Sequence, residues 1–244
     1  MSHLLTIAID GPAASGKSTV GQRVAQVLDF LYFDTGAMYR AVTLLALERG
    51  MDLADAEALG RLAAETPILI EQPADDVQDS RQYTVIVEGR DITWELRHRA
   101  VDQNVSQVAR HPSVRKELRS QQRKIGEQGE VVMVGRDIGT VVMPDAPLKI
   151  YLDASPEERA RRRCRDCELR GEDADYETLL DEIRERDQRD SQRPEAPLSV
   201  ADDAIVLDTD GLSIDEVVRQ ILELVKQQGW TREEASRNHT QTAP

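Results

Sequence analysis

A glycine-rich segment near the amino terminus has the residue types and the spacing of a site for phosphate groups. Residues 11–19 read Gly-Pro-Ala-Ala-Ser-Gly-Lys-Ser-Thr, which fits the pattern G-x-x-x-x-G-K-[ST] in full. Backbone N–H groups of such a turn, together with the positive end of the following helix, form a nest for a polyphosphate. We therefore expect Lys17 to reach the β- and γ-phosphates of a nucleoside triphosphate and the Ser18 hydroxyl to ligate Mg²⁺.

The residues on either side supply the context that this pattern requires. Residues 4–9 form an apolar, β-branched run that predicts a buried strand, and residues 20–28 have helical apolar spacing. Strand, glycine-rich turn and helix favour a nucleotide site over a turn without a ligand. The predicted ATP contacts are Gly11, Pro12, Ala13, Ala14, Ser15, Gly16, Lys17, Ser18 and Thr19.

Charge and hydropathy exclude several classes of protein. The chain has 244 residues, with 31 Lys and Arg against 45 Asp and Glu, and a formal net charge of −14. A general nucleic-acid binder would be basic, so we expect no nucleic-acid partner, and phosphate ligands must be attracted by local arginine clusters. The apolar runs are too short for a bilayer and no leader pattern appears, which predicts a cytoplasmic protein with no membrane partner.

The two cysteines form a C-x-x-C pair, Cys164 and Cys167. This spacing is compatible with a redox pair or with half of a zinc site. However, the pair lies in an arginine-rich helical stretch, and a structural zinc would need two further ligands that the sequence does not place nearby. We interpret both as ordinary thiols.

Strand and helix patterns alternate along the chain. Beyond the first strand and helix, strands are predicted at residues 31–34, 68–70, 83–87, 131–134, 148–152 and 204–207. Further helices are predicted at 36–49, 52–64, 104–109, 113–127, 176–190 and 213–229, and one begins at Ser155, where Glu158 completes a capping box. Such alternation predicts an α/β fold with a mostly parallel sheet covered on both faces, and the strands near 68–87 predict a small β-containing insert.

In a sheet of this kind, ligands bind beyond the carboxyl ends of the strands. Asp34, the turn at Gly11 and the pair Arg136-Asp137 each follow a strand end, so one crevice could hold all three. Asp34 could polarise magnesium-bound water or cap the next helix, and the residues alone do not decide between these roles.

The nucleotide site alone is compatible with a GTPase, a motor, an ATPase subunit or a small kinase. No Asn-Lys-x-Asp guanine-binding motif is present. Instead, arginines lie near strand ends and at five positions between Arg159 and Arg165. Transfer of a phosphoryl group between two nucleotides needs charge neutralisation, alignment and exclusion of water, and arginines on a closing segment meet these needs. The alternative for the Arg159–Arg165 run is a solvated helix face paired with acidic neighbours.

At this level of detail the sequence resembles the bacterial cytidylate (CMP/dCMP) kinases, over residues 5 to about 226. The match lies in residues 9–19, Asp-Thr-Gly-Ala-Met-Tyr-Arg at 34–40, Ser-Gln-Val-Ala at 106–109 with Pro-Ser-Val-Arg at 112–115, Gly-Arg-Asp-Ile-Gly-Thr at 135–140, Lys-Ile-Tyr-Leu-Asp-Ala at 149–154, and Glu-Arg-Asp-Gln-Arg-Asp at 185–190 followed by Arg193. The first segment is a generic nucleotide motif, whereas the ordered combination is highly specific.

The resemblance implies a five-stranded parallel core, ATP and Mg²⁺ as cofactors, and CMP or dCMP as the phosphoryl acceptor. The implied organisation is core at 1–65, 102–154 and 175–230, a nucleoside-monophosphate-binding insert at 66–101, a lid at 155–174, and a disordered tail at 231–244. Nothing in the sequence demands a partner chain, so we expect a monomer.

The resemblance also implies roles for individual residues. The implied catalytic residues are Lys17, Arg40, Arg136, Arg162 and Arg163, with Arg159 as a further lid arginine. The implied CMP contacts are Thr35, Arg40, Ser106, Arg115, Arg136, Asp137, Arg186, Asp190 and Arg193. Among these, Arg40 and Arg136 would hold the acceptor phosphate, and Ser106, Arg186 and Asp190 would contact the sugar.

Hydrogen-bond patterns support the roles proposed for the base. Cytosine presents an amino donor at N4 beside an acceptor at N3, so Asp137 would accept from N4 while Arg115 donates to N3 or O2. Uracil reverses both positions and would leave buried groups unpaired. The alternatives are a kinase for UMP or another monophosphate and, in a different class, a non-catalytic nucleotide sensor or a P-loop ATPase.

Overall fold

The structure, a computed structural model, describes residues 5–74, 77, 79–169, 171, 173–192 and 195–230. Its strands are β1 (Thr6–Asp10), β2 (Leu31–Asp34), β3 (Ile68–Glu71), β4 (Thr84–Val87), β5 (Arg90–Asp91), β6 (Val131–Val134), β7 (Leu148–Asp153) and β8 (Ile205–Asp208). Its α-helices are α1 (Lys17–Leu28), α2 (Gly36–Glu48), α3 (Ala56–Glu65), α4 (Arg99–Val108), α5 (Pro112–Glu127), α6 (Pro156–Leu169), α7 (Tyr176–Ser191) and α8 (Ile214–Gln227). A 3₁₀ turn spans Glu95–Arg97 and a π-helical turn spans Ile138–Val142.

The main sheet has five strands in the order β2-β6-β1-β7-β8, and every neighbouring pair is parallel. This confirms the predicted fold class. Because β1 lies at the centre, the turn that follows it is flanked by the carboxyl ends of β6 and β7. The segments after β2, β6, β7 and β8 reach the same edge of the sheet, which is the edge where ligands bind in open parallel sheets.

Side chains from the central strand alternate between two apolar layers. Ile7 and Ile9 pack with residues of α1 and α8 on one face, whereas Ala8 packs with residues of α2 and α5 on the other. All three side chains are fully buried. A strand that is buried on both faces does not alternate polar and apolar residues, which explains the apolar runs in the sequences of β1 and β6.

The second sheet is small and antiparallel, in the order β3-β4-β5, and it lies within the predicted insert. Its inward side chains, including Ile68 and Val85, belong to the same apolar cluster as Phe33 of the main sheet. The insert therefore packs directly onto the core. The predicted boundary at residue 101 crosses α4, which begins at Arg99.

Two helix starts differ from the sequence prediction. Helix α3 begins at Ala56 rather than at residue 52, because Asp55 caps it by accepting hydrogen bonds from Glu57 N–H and Ala58 N–H. Asp52 instead closes a turn of its own by accepting from Ala54 N–H. Helix α4 begins five residues earlier than predicted, and its first turn buries Val101 against the insert.

The start of α6 forms only half of the predicted capping box. Ser155 Oγ accepts from Glu158 N–H at 3.2 Å, but Ser155 N–H donates to Asp210 at 2.9 Å. The Glu158 carboxylate is directed to arginines of the same helix instead. Helix α8 has the complete box, in which Ser213 and Glu216 bond each other's backbone N–H groups. The arginines of α6 compete for the Glu158 carboxylate, which explains why the Ser-x-x-Glu pattern forms a complete capping box at α8 but only half of one at α6.

Helix α6 also carries Cys164 and Cys167, which are not joined by a disulfide. In the described part of the chain, no cluster of three or more His, Cys, Asp or Glu side chains has the arrangement of a metal site. Among the same residues, none of the helices has both the length and the apolar character that crossing a membrane requires.

Candidate functional site

The turn between β1 and α1 has a backbone that glycine alone permits at two points. Gly11 has φ +148°, and a Cβ on it would lie 2.1 Å from the carbonyl oxygen of Leu152. Gly16, directly before α1, has φ +92°. Both positions favour glycine because left-handed backbone is strained for other residues. The turn can therefore pass close to β7 before it enters α1.

Lys17 folds back over this turn. Its Nζ donates to the carbonyl of Pro12 at 2.5 Å and lies 3.4 Å from Ser15 Oγ. Burial, together with repulsion from Arg136, lowers the pKa of Lys17 to about 7, although Asp34 and Asp10 act in the opposite direction. The ammonium is thus short of compensating negative charge, which an incoming phosphate would supply.

Ser18 and Asp34 lie at the entrance of the turn. Ser18 is exposed in the first turn of α1, and its side chain hydrogen-bonds the Tyr32 hydroxyl, whose pKa is raised mainly by burial. Asp34 accepts from Gly36 N–H at 2.9 Å, which is the helix-capping alternative for this residue. Mg²⁺ in nucleotide sites takes one or two protein oxygens and otherwise water and phosphate oxygens. The exposed Ser18 hydroxyl and the Asp34 carboxylate, which both interact with the Tyr32 hydroxyl, are oxygen ligands of that kind.

The residues predicted to contact the base come together on the other side of the turn. Arg115 of α5 is 7 % exposed and pairs with Asp137 at 2.8 Å. Its guanidinium carbon lies 5.8 Å from the ring centre of Tyr39. Thr35, which is also buried, donates its hydroxyl hydrogen bond to Val134 O at 3.0 Å. A donor, Arg115, and an acceptor, Asp137, are therefore fixed side by side.

The residues predicted to hold the acceptor phosphate and sugar also have carboxylate partners. Arg136 Nε lies 2.6 Å from the carboxylate of Asp190. Arg40 pairs with Asp102 of α4 and donates to the carbonyl of Leu96 at 3.1 Å. The insert and α4 thus hold the Arg40 side chain, which extends from the core helix α2.

Of three further predicted residues, one is exposed, one faces α7 and one is not described. Ser106 is exposed on α4. Arg163 points toward α7, where its guanidinium lies 3.7 Å from Glu182. Arg193 lies outside the described residues. Arg186, on α7, is close enough to Lys17 to lower its pKa.

The first turns of α6 contact the phosphate-binding turn directly. Arg162 donates to the carbonyls of Ser15 at 3.3 Å and Thr209 at 2.6 Å. Arg159 is 3 % exposed, donates to Ala13 O at 3.2 Å and makes two hydrogen bonds to Asp187 at 3.0 and 2.6 Å. Arg159, expected as a further lid arginine, is therefore a buried connection between α6, α7 and the turn.

Sequence reasoning missed several carboxylates of this site. Asp10, Asp102 and Asp187 each receive hydrogen bonds from groups at the site. Two of them could have been suspected from their positions, because Asp10 directly precedes Gly11 and Asp187 lies inside the segment 185–190. Their partners are 28 or more residues away, and such pairings cannot be read from one sequence.

Comparison with known proteins identifies the family that this chain resembles. The family model described as "Cytidylate kinase" matches residues 7–227. A cytidylate kinase from Herpetosiphon aurantiacus is 52% identical over 220 residues, which cover 90% of this chain and 93% of the relative. The relative from Bacillus velezensis is 49% identical over 228 residues, covering 93% and 99%, and that from Roseiflexus castenholzii is 50% identical over 222 residues, covering 91% and 94%.

Proposed function

Because the chain belongs to the cytidylate kinase family, we propose how its residues carry out that family's reaction. The protein is a kinase that transfers the γ-phosphoryl group of ATP to CMP or dCMP, giving ADP and CDP or dCDP. The observation that carries the assignment of residues is the Arg115–Asp137 pair, together with Arg136, opposite the glycine-rich turn. A protein that only hydrolyses ATP has no use for this second set of groups.

ATP binds with its phosphates in the turn formed by residues 11–19. N–H groups of the turn and of the start of α1 receive the phosphate oxygens, and the lowered pKa of Lys17 reflects a charge that the γ-phosphate compensates. The Ser18 hydroxyl would hold Mg²⁺, which would supply further charge neutralisation at the triphosphate.

CMP binds between α2, α5 and the segment after β6. Arg40 and Arg136 hold its phosphate, while Asp137 accepts from the N4 amino group and Arg115 donates to N3 or O2. Thr35 completes the surroundings of the base. The remaining contacts are Arg193 near the base and Ser106, Arg186 and Asp190 at the sugar.

The reaction has no covalent enzyme intermediate. An oxygen of the acceptor phosphate forms a bond to the γ-phosphorus while the bond from that phosphorus to the β–γ bridging oxygen breaks, and ADP leaves with the electron pair. The protein aligns the two phosphates, cancels their repulsion with arginines and excludes water. Arg162, which already contacts Ser15 and Thr209, and Arg163 act from the lid at 155–174.

We further propose that the insert at 66–101 closes on the acceptor and that the chain acts as a cytoplasmic monomer. The packing of the insert against Phe33 and its neighbours supports a close connection between acceptor site and core. Sedimentation tests the monomeric state, and small-angle scattering with and without nucleotides tests the closure of the insert, both separately from the chemistry.

An activity assay with variants tests the assignment of the acceptor residues. ADP release is measured with ATP and CMP, dCMP, UMP or AMP, or with no acceptor. We expect CMP and dCMP to accelerate ADP release strongly over the rate without acceptor. Asp137→Ala should lose most of the preference for CMP over UMP, whereas Arg40→Ala should weaken all acceptors alike because it contacts only their common phosphate.

The controls separate the competing functions. ADP release that no monophosphate accelerates would indicate an ATPase or a sensor. A stronger response to UMP than to CMP would indicate a different monophosphate kinase. An unchanged CMP/UMP ratio in Asp137→Ala would show that another residue reads the base.

A further inference from the structure

A buried carboxylate lies inside a site that must accept polyanions. Asp10 is the last residue of β1, directly precedes the phosphate-binding turn, and is 5 % exposed. Burial raises the pKa of Asp10 to about 6, although hydrogen bonds from the Gly139 and Ile138 N–H groups act in the opposite direction. A negative charge here opposes the binding of phosphates, so its presence calls for a specific role.

The partners of Asp10 identify that role. One carboxylate oxygen accepts from Ile138 N–H at 2.8 Å and the other accepts from Gly139 N–H at 2.7 Å. These two residues begin the π-helical turn that directly follows Arg136 and Asp137. In addition, Gly135 N–H donates to Ile9 O at 3.1 Å, so β1 holds the Gly135–Gly139 segment from both ends.

The backbone is shaped for this contact. A Cβ on Gly139 would lie 3.4 Å from the nearer Asp10 oxygen and 3.2 Å from Lys149 Cδ. A larger residue at position 139 would therefore press on the Lys149 side chain, while its Cβ would be in ordinary van der Waals contact with Asp10. Glycine leaves the space beside the carboxylate open.

We propose that Asp10 is a positioning residue that fixes Arg136 and Asp137 relative to the donor turn, and thereby sets acceptor affinity and base discrimination. The inference rests on the proposed roles of Arg136 and Asp137. Asp10 does not touch either nucleotide. It acts through the backbone of residues 138 and 139, and it links the acceptor groups to the residue that begins the donor turn.

A carboxylate suits this task better than any other side chain of its size. Two adjacent N–H groups need two acceptors, and both oxygens of an ionised carboxylate can accept. An asparagine of the same shape offers one acceptor and directs its amino group against the second N–H. The Asp10→Asn change therefore preserves volume while it releases one end of the turn.

The test compares Asp10→Asn with Asp55→Asn. Asp55 also accepts from two nearby backbone N–H groups, but it lies at the exposed start of α3. For Asp10→Asn we expect KM for CMP to rise by about tenfold and the CMP/UMP ratio of kcat/KM to fall by about tenfold, because small displacements of binding groups are costly. The dissociation constant for ATP should change less than about twofold. Asp55→Asn should leave all three quantities unchanged.

Other outcomes overturn the proposal in distinguishable ways. A purely structural role would reduce the folded fraction and the apparent kcat of Asp10→Asn. The KM for CMP and the CMP/UMP ratio of kcat/KM would then stay constant. If Asp10→Asn does not fold, Asp10→Ser, which is shorter and keeps one acceptor, is measured in its place, and failure of both variants to fold overturns a positioning role. If Asp137→Ala keeps the CMP/UMP ratio, the base assignment fails; if Asp137→Ala loses it and Asp10→Asn keeps it, only the role of Asp10 fails.

Discussion

Three arginines assigned to the acceptor nucleotide are paired with carboxylates. The pairs are Arg40–Asp102, Arg115–Asp137 and Arg136–Asp190. Arg115 is the most buried of the three arginines and would be costly without a partner, whereas Arg40 and Asp102 are both partly exposed. The carboxylates therefore compensate the arginines to different degrees and hold their side chains in place.

At the residue scale, the charge of Asp10 predicts a specific dependence of stability on pH. Its pKa is about 6 in the folded protein against an ordinary value of 3.8. The folded state therefore holds a proton that the unfolded state has released, and the stability this provides is lost as the pH rises through 6. Between pH 5 and pH 7, the unfolding free energy of the wild type should fall by about 1 kcal/mol relative to Asp10→Asn.

Urea denaturation of both proteins at the two pH values measures this difference. Other carboxylates titrate equally in the two proteins, so their contributions cancel. The same comparison with Asp55→Asn gives the reference for an exposed carboxylate. A difference between wild type and Asp10→Asn that stays constant from pH 5 to pH 7 would contradict the role of burial at this position.

At the element scale, α6 has two arginines that face α7 in different surroundings. Arg159 is buried and makes two hydrogen bonds to Asp187, whereas Arg163 lies in a partly exposed pair with Glu182 at 3.7 Å. Exposed pairs contribute little to stability, but removal of one partner from a buried pair leaves an uncompensated charge. The start of α6 is thus held firmly to α7 and to the phosphate-binding turn.

Matched substitutions on α7 test this difference. Asp187→Asn should lower the unfolding free energy by about 3 kcal/mol, whereas Glu182→Gln should change it by less than about 0.5 kcal/mol. Asp187→Asn should also weaken ATP binding, because Arg159 donates to the carbonyl of Ala13 in the turn. Urea denaturation and ATP titration provide the two readouts, and equal effects of the two substitutions would contradict the account.

The sequence predicted most of the helices and strands but few of the side-chain contacts between them. The apolar runs of β1 and β6 are local signals, so these strands appeared where expected. The start of α3 was misplaced because Asp52 and Asp55 are both plausible caps, and only the fold decides between them. The same limit applies at the site.

The arginines of the site could be assigned by resemblance, but their carboxylate partners could not. Arg136 and Asp190 are 54 residues apart and Arg40 and Asp102 are 62 apart. Such contacts depend on the strand order β2-β6-β1, which no local pattern specifies. The role of Asp10 was missed for the same reason, since its partners follow β6.

At the scale of the whole molecule, a protein with a net charge of −14 must attract two anionic nucleotides to one edge of its sheet. The fold achieves this by placing arginines from α2, α5, α7 and the segment after β6 around the turn that follows the central strand. Salt screens charges beyond about 10 Å at 0.1 M, so these nearby cations outweigh the distant acidic surface. The account therefore requires two nucleotide sites that are occupied at the same time.

Calorimetric titration tests this requirement directly. CMP is added to protein already saturated with Mg²⁺ and a non-hydrolysable ATP analogue, and the analogue is then added to protein saturated with CMP. The account predicts one CMP and one analogue bound per chain in either order, with no displacement of the first ligand. Release of the analogue by CMP, with a single nucleotide bound per chain throughout, would contradict it.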